Sequence, residues 1–170
     1  MDSSCTTIIE MTDIFAYFQK LFGRINEAFV VERHIIGDNL GWEPNPRECH
    51  RNVERLVGAR PEYRPVHGWL ICDYGDRVQF IAHSIVRSTE GKYIDITPVE
   101  RSLPWTNPFL IDCSADYWAI EQELYLNPVN PTPGTIVVPA LTRTREEIDR
   151  ISRKVDAETR TYIAGLSRTR

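Results

Sequence analysis

Three residues in the middle of the chain have the types and order of a nucleophilic site. They are Cys49, His83 and Asp95. A cysteine thiolate attacks carbonyl carbon, a histidine takes and returns the proton, and a carboxylate orients the imidazole. The sequence therefore predicts a Cys-His-Asp catalytic triad, provided that local structure brings the three side chains together.

The segment NPRECHRNVERLV predicts a helix that carries the thiol in its first turn. Asn45 suits the N-cap, Pro46 suits the first helical position, and Glu48 completes a pattern close to a capping box. An apolar stripe continues on the side of Cys49, so its thiol is expected on the buried face. A helix N-terminus favours negative charge and hence the thiolate.

Three apolar segments follow and predict strands: YRPVHGWLICD, RVQFIAHSIVR and KYIDITP. Short polar turns join them, which favours an antiparallel meander. If residues 89–91 form a three-residue loop with a left-handed glycine, Ser88 pairs with Lys92. His83 and Asp95 then share one face as diagonal neighbours. A loop of two or four residues would place them on opposite faces.

Each triad residue also has a structural interpretation. Most free cysteines are small buried hydrophobes, so Cys49 alone would not indicate catalysis. His83 in an apolar strand is either a satisfied core residue or a functional one. Asp95 either orients His83 or caps the turn before Pro98. The order of the three residues favours the triad.

An acyl-transfer site also needs donors for the developing oxyanion. The backbone N–H of Cys49 is one, because amides in the first helical turn have no intrahelical partner. The preceding Gly- and Pro-rich loop offers Asn39, Trp42 and Asn45 as candidates for a second, and the sequence does not choose among them.

His50 adjoins the nucleophile but projects about 100° away around the helix, so it is expected to be a poor base for that thiol. A zinc site from Cys49, His50 and His83 lacks recognised ligand spacing. Neither a metal nor another cofactor is expected.

Composition is that of an ordinary globular protein: 170 residues, 42% hydrophobic and 26% charged, with a net charge of −4. This charge gives no general attraction to nucleic acid. No apolar run is long enough to span a bilayer, and the N-terminus lacks the features of a secretory signal. We expect a cytoplasmic protein without nucleic-acid or membrane partners, or one exported without a cleaved signal. Its four scattered cysteines are expected to be free thiols.

The predicted organisation is a single α+β domain over residues 1–170. Residues 1–37 form a helical N-terminal segment and residues 38–98 the catalytic core. An irregular region with short elements covers 99–143, and an amphipathic helix covers 144–165. Within the irregular region SLPWTNPFLID is predicted as a loop, DYWAIEQELYL as a helix or strand, and TIVVPAL as a strand.

The cysteine at a helix start, followed by VHGWL, FIAHSIV and YIDITP, resembles the transglutaminase-like core of papain-like thiol enzymes. The resemblance covers roughly residues 38–98. It implies a nucleophile helix packed on an antiparallel sheet, with Cys49 as nucleophile, His83 as base and Asp95 as orienting residue. His50 stands where the family often has an aromatic residue.

The resemblance implies a thiol protease, deamidase or transglutaminase that acts on a protein or peptide amide through an acyl-thioester, without a cofactor. Two other hypotheses remain open. One is an inactive papain-like fold that serves as a protein-binding module. The other is a metal-dependent hydrolase that uses Cys49 and the histidines.

Overall fold

The computed structural model of this chain describes residues 11–33, 41–98, 107–126, 134–139 and 143–166. The helices within those ranges are α1 (Met11–Gly23), α2 (Cys49–Ala59), α3 (Ala115–Leu126) and α4 (Arg145–Leu166), with a 3-10 turn over Ile25–Glu27. The strands are β1 (Phe29–Val30), β2 (Glu32–Arg33), β3 (Arg64–Asp73), β4 (Arg77–Arg87), β5 (Tyr93–Asp95), β6 (Pro108–Ile111) and β7 (Thr135–Pro139).

The strands form one sheet in the order β1-β6-β3-β4-β5-β2, and β7 pairs with the first half of β4. The pairing of β2 with β5 is parallel and the other pairings are antiparallel. Val31 alone separates β1 from β2, which lie at the two ends of this order. The sheet is therefore nearly closed.

The two faces of β4 pack against different partners, because successive side chains of a strand alternate. Ile85 packs with Val66 and Phe109 in a cluster made by the strands and their connections, on the inside of the curled sheet. Phe80 and Val86 point the other way. Phe80 lies in a cluster with residues of α1 and α3, and Val86 lies in a cluster with residues of α2. The helices α1, α2 and α3 thus cover the outer face.

The mixed α+β prediction is confirmed, and so is the meander of β3, β4 and β5. In the N-terminal segment, predicted as helical, α1 buries Ile14, Phe18 and Leu21, whereas β1 and β2 form within residues 29–33. DYWAIEQELYL forms the helix α3, and TIVVPAL contains β7. The predicted loop SLPWTNPFLID was wrong in its second half, which forms β6. Pairing with β1 and β3 on both sides overrides the local signal of its prolines.

Within the described ranges, no helix combines the length and apolarity that crossing a membrane requires. The described cysteines, Cys49, Cys72 and Cys113, are free thiols as predicted, whereas Cys5 lies outside the described residues.

Candidate active site

The helix α2 begins at Cys49 itself, later than the sequence predicted. Glu48 occupies the N-cap without a side-chain capping bond, so Asn45 as N-cap and Pro46 as first helical residue were wrong. The reason lies at Arg47, whose φ of 65° is left-handed and cannot belong to a right-handed helix. The correction strengthens the placement of the thiol, because Cys49 now holds the first helical position.

Asn52 holds the loop in front of Cys49 in place. This side chain is buried in α2; its Oδ1 accepts from the N–H of Asn45 at 3.0 Å and its Nδ2 donates to the carbonyl of Asn45 at 2.8 Å. The same Nδ2 lies 3.4 Å from Thr97 Oγ1, just beyond β5. The amide of Asn52 therefore connects the loop before Cys49 to the segment that follows the strand of Asp95. Sequence reasoning missed it, although an Asn one turn after the nucleophile on the buried face was a signal.

The hairpin between β4 and β5 has the predicted register. Gly91 is left-handed with φ 83°, and its N–H donates to the carbonyl of Ser88 at 3.0 Å. The N–H of Ser88 donates to the carbonyl of Lys92 at 2.9 Å. The prediction that His83 and Asp95 share a face is confirmed, because His83 Nε2 lies 3.1 Å from Asp95 Oδ2. The ring N–H is not well aligned with that oxygen, so the contact is an ion pair more than a linear hydrogen bond.

The two carboxylate oxygens of Asp95 have different partners. Oδ1 accepts from the N–H of Thr97 at 2.9 Å, which is the turn-capping role weighed against the triad. Oδ2 faces His83 and also lies 3.4 Å from Nε of Arg33. Asp95 therefore makes the contacts that each interpretation requires, one through each oxygen. Arg33 was not predicted; it lies opposite Asp95 because β2 pairs in parallel with β5.

Cys49 lies at a gap in the pairing of β4. The edge opposite β3 pairs with β7 up to Ile81 and with β5 from Val86 onward. The N–H of Ala82 still donates to the carbonyl of Gly134 at 2.8 Å, and within the described residues no strand pairs with His83–Ile85 on that edge. The Sγ of Cys49 lies 3.9 Å from the carbonyl oxygen of Ala82, at this gap. The gap lets a thiol from the outer face reach a histidine on the inner face.

The electrostatics favour the thiolate. Burial raises the pKa of Cys49, but the neighbouring rings of His50 and His83 outweigh burial and lower it to about 6. Burial lowers the pKa of His83, whereas Asp95 and Cys49 raise it to about 9. Burial raises the pKa of Asp95, but the contact with His83 lowers it by more, so the pKa of Asp95 lies below its ordinary value. Cys49 and His83 are thus arranged to hold a thiolate–imidazolium pair near neutral pH.

His50 is closer to the site than its predicted direction suggests. Its Nδ1 lies 2.5 Å from Ser84 Oγ and its Nε2 lies 2.8 Å from Glu121 Oε1, so both ring nitrogens face other partners. The direction predicted for His50 was incomplete, because the ring also lies close enough to the Cys49 thiol to lower its pKa. The effect of His50 on the Cys49 thiolate was not predicted, and neither were its contacts with Ser84 and Glu121. Ser84 on β4 and Glu121 on α3 are distant from His50 in the chain, so these contacts leave no local sequence signal.

The oxyanion candidates have different outcomes. Asn39 lies outside the described residues. Asn45 is exposed, and its side-chain amide donates to Glu48 Oε2 at 3.1 Å, so this donor is already engaged. Trp42 packs beside the cluster that joins α2 to β4 and stacks under Arg55, and its buried indole N–H lacks a partner among the described residues. Of the two candidates that the structure describes, Trp42 is the one that retains an unused donor.

In the part of the chain that the structure describes, no cluster of three or more His, Cys, Asp or Glu side chains is arranged to hold a metal ion. Comparisons with protein-family models, curated proteins and solved structures found no match to this chain. The site therefore has to be interpreted from its own geometry.

Proposed function

We propose that this protein is a cysteine-dependent acyl-transfer enzyme that acts on an amide, with Cys49, His83 and Asp95 as its triad. The observation that carries the proposal is the position of the buried His83 ring, whose Nε2 lies 3.1 Å from Asp95 Oδ2 and which is near enough to the Cys49 thiol to lower the pKa of that thiol. Support comes from the first helical position of Cys49, where the helix dipole stabilises a thiolate.

In the proposed reaction the thiolate of Cys49 attacks the amide carbonyl carbon. The resulting oxyanion is stabilised by the N–H of Cys49, which has no intrahelical partner at the first position of α2. His83 gives its proton to the leaving amine, and the C–N bond breaks to leave an acyl-thioester. Water or a second amine then attacks the thioester, the neutral imidazole of His83 accepts the proton, and the thiolate leaves.

We also infer a papain-like, transglutaminase-like core for residues 38–98. A helix that begins at the nucleophile packs on an antiparallel sheet, and the base and the orienting acid lie on neighbouring strands. The expected substrate is a protein or peptide amide, either a peptide bond or a glutamine side chain. This arrangement supports a thiol protease, a deamidase or a transglutaminase equally, because all three pass through the same acyl-enzyme.

The test is to trap the acyl-enzyme. The protein is incubated with a library of peptides that contain glutamine and with hydroxylamine, which converts an acyl-thioester into a hydroxamate and frees the thiol. We expect peptide hydroxamates in the presence of wild-type protein, and loss of at least 100-fold in Cys49→Ala and His83→Ala. Cys113→Ser removes an exposed thiol outside the triad and should leave the yield unchanged. Equal yields from wild type and Cys49→Ala would overturn the proposal.

The second candidate is an inactive fold that binds a protein partner. The observation in its favour is burial, because Cys49, His83 and Asp95 are 7%, 6% and 4% exposed. A folded wild-type protein that forms no hydroxamate and whose Cys49 resists small alkylating reagents at pH 7 would favour this candidate.

A further inference from the structure

A second buried ion pair lies directly beside the triad. His50 on α2 faces Glu121 on α3 at 2.8 Å, and the Glu121 side chain is 4% exposed. A carboxylate buried to this extent needs a partner, because an isolated charge in the interior is costly. His50 is the partner that the structure provides, and it adjoins the nucleophile in the chain.

The hydrogen-bond partners of His50 indicate its charge. Nε2 of His50 is buried and faces a Glu121 carboxylate oxygen at 2.8 Å without an aligned hydrogen bond, so this contact is an ion pair, as at His83. Because the carboxylate only accepts, Nε2 of His50 carries a proton. On the other side Ser84 Oγ lies 2.5 Å from Nδ1 of His50 and 2.7 Å from Nδ1 of His67. The single hydroxyl proton of Ser84 can be donated to one ring only. With that proton given to a neutral His67, both nitrogens of His50 donate and His50 is an imidazolium.

The surrounding groups agree with this assignment. The titratable groups that face His50 are Cys49 on its own helix, Glu121 on α3 and His67 on β3, while β4 contributes the neutral hydroxyl of Ser84. Burial lowers the pKa of His50, but Cys49 and Glu121 raise it to about 10. Burial and the nearby charge of His50 lower the pKa of His67, which fits a neutral acceptor.

The charges also balance across the site. The acids are the Cys49 thiolate, Asp95 and Glu121, and each has a cation against it. Those cations are His83, Arg33 and His50. Removal of the charge on His50 would leave Glu121 buried and unpaired.

We propose that His50, held as an imidazolium by Glu121 and Ser84, is a positioning residue that keeps Cys49 in its thiolate form independently of His83. The role in catalysis rests on the proposed function. The inference extends the triad to a site with two cations, one that moves a proton and one that does not.

The fixed cation matters most in the second half of the proposed reaction. Once His83 has given its proton to the leaving amine, it is neutral and no longer stabilises a thiolate. The thioester must nevertheless expel Cys49 as a thiolate when water or an amine attacks. An imidazolium at His50 lowers the energy of that leaving group while His83 is occupied with the incoming proton.

The test measures the pH at which Cys49 becomes a thiolate, without any substrate. Alkylation by iodoacetamide is followed by mass spectrometry from pH 4 to pH 10 in wild type, Glu121→Gln and His83→Ala. We expect the midpoint for Cys49 to rise by roughly one pH unit in Glu121→Gln, so that labelling at low pH slows about tenfold. His83→Ala should keep a midpoint below about 8.5, the ordinary value for a free cysteine. The matched control is Glu123→Gln, which removes a half-buried acid of α3 on a different side of the helix.

An unchanged midpoint in a folded Glu121→Gln protein would overturn the inference. The inference would also be overturned if the alkylation midpoint of Cys49 in the single variant His83→Ala rose to about 8.5, the ordinary value of a free cysteine. If Glu121→Gln does not fold, NMR titration of the His50 ring in Cys49→Ser decides the question: the ring should stay protonated through pH 8, and titration near 6.5 would refute its fixed charge.

Failure of this inference and failure of the proposed function give different results. If hydroxamates form but the alkylation midpoint of Cys49 is the same in wild type and Glu121→Gln, the proposed enzyme activity stands and the proposed role of His50 is refuted. If the midpoint of Cys49 rises in Glu121→Gln but no hydroxamate forms with wild-type protein, the fixed charge of His50 stands and the proposed enzyme activity is refuted.

Discussion

Replacement of Asp95 by Asn tests the His83–Asp95 pair through folding stability. Asn has the shape of Asp and keeps an oxygen for the N–H of Thr97, so the turn at the end of β5 should persist. What it removes is the negative charge 3.1 Å from Nε2 of His83. The experiment is best made in Cys49→Ser, where no thiolate holds the charge on His83.

The magnitude follows from the pKa of His83, which rises from 6.5 to about 9 in the folded protein. At about 1.4 kcal/mol per pH unit this corresponds to roughly 3 kcal/mol, shared between Asp95 and Cys49. The raised pKa of His83 gives stability that is fully present below pH 6.5 and is lost as the pH rises through about 9. The lowered pKa of Asp95 gives stability that is present above its unfolded value of about 4 and is lost at lower pH.

The free energy of unfolding is measured with urea and tryptophan fluorescence between pH 5 and pH 9. Asp95→Asn should destabilise by about 2 kcal/mol at pH 5–6. The difference should shrink as the pH rises through the pKa of His83, which lies below about 9 once the Cys49 thiolate is gone. Asp76→Asn is the matched control, since this exposed acid pairs with Arg77 at the surface and should change stability by less than about 0.5 kcal/mol. A difference that is constant from pH 5 to pH 9 would refute the charged pair.

Two further predictions concern the backbone around the site. Gly68→Ala should destabilise the protein by about 1–3 kcal/mol in urea unfolding, because a Cβ at Gly68 would overlap the carbonyl oxygen of Leu110 in β6. Gly58→Ala in α2 has open space around the added Cβ and should stabilise the protein by about 0.5 kcal/mol, so equal effects of the two substitutions would contradict the packing described. One residue inserted between Glu90 and Gly91 should turn Asp95 away from the face of the sheet that carries His83 and raise the alkylation midpoint of Cys49. Two inserted residues should return Asp95 to that face. Identical midpoints in the two insertion variants would show that the register does not control the site.

The parts of the site that depend on local rules were predictable from the sequence. A left-handed glycine and a three-residue loop set the register, and strand alternation then placed His83 and Asp95 on one face. The burial of Cys49 followed from helical periodicity in the same way. These rules need only neighbouring residues, so a single sequence contains enough information.

The parts that depend on distant segments were not predictable. Arg33 reaches Asp95 through a parallel pairing between a two-residue strand and β5, and Glu121 reaches His50 through helix packing. The start of α2 was misplaced because cap preferences compete with tertiary contacts, here the hold of Asn52 on Asn45. The one general indication of such partners is that a buried carboxylate, such as Asp95 or Glu121, requires a nearby cation.

The hairpin of β4 and β5 has a consequence for the evolution of this chain. Surface loops ordinarily accept insertions and deletions, yet a change of one residue between His83 and Asp95 would turn the acid away from the base. Among homologues that keep the site, their separation of twelve positions should therefore change only by even numbers of residues, while the distance from Cys49 to His83 is free to vary. Such homologues should be recognised by a search pattern in which the His–Asp interval is an even number of positions and the Cys–His interval is variable.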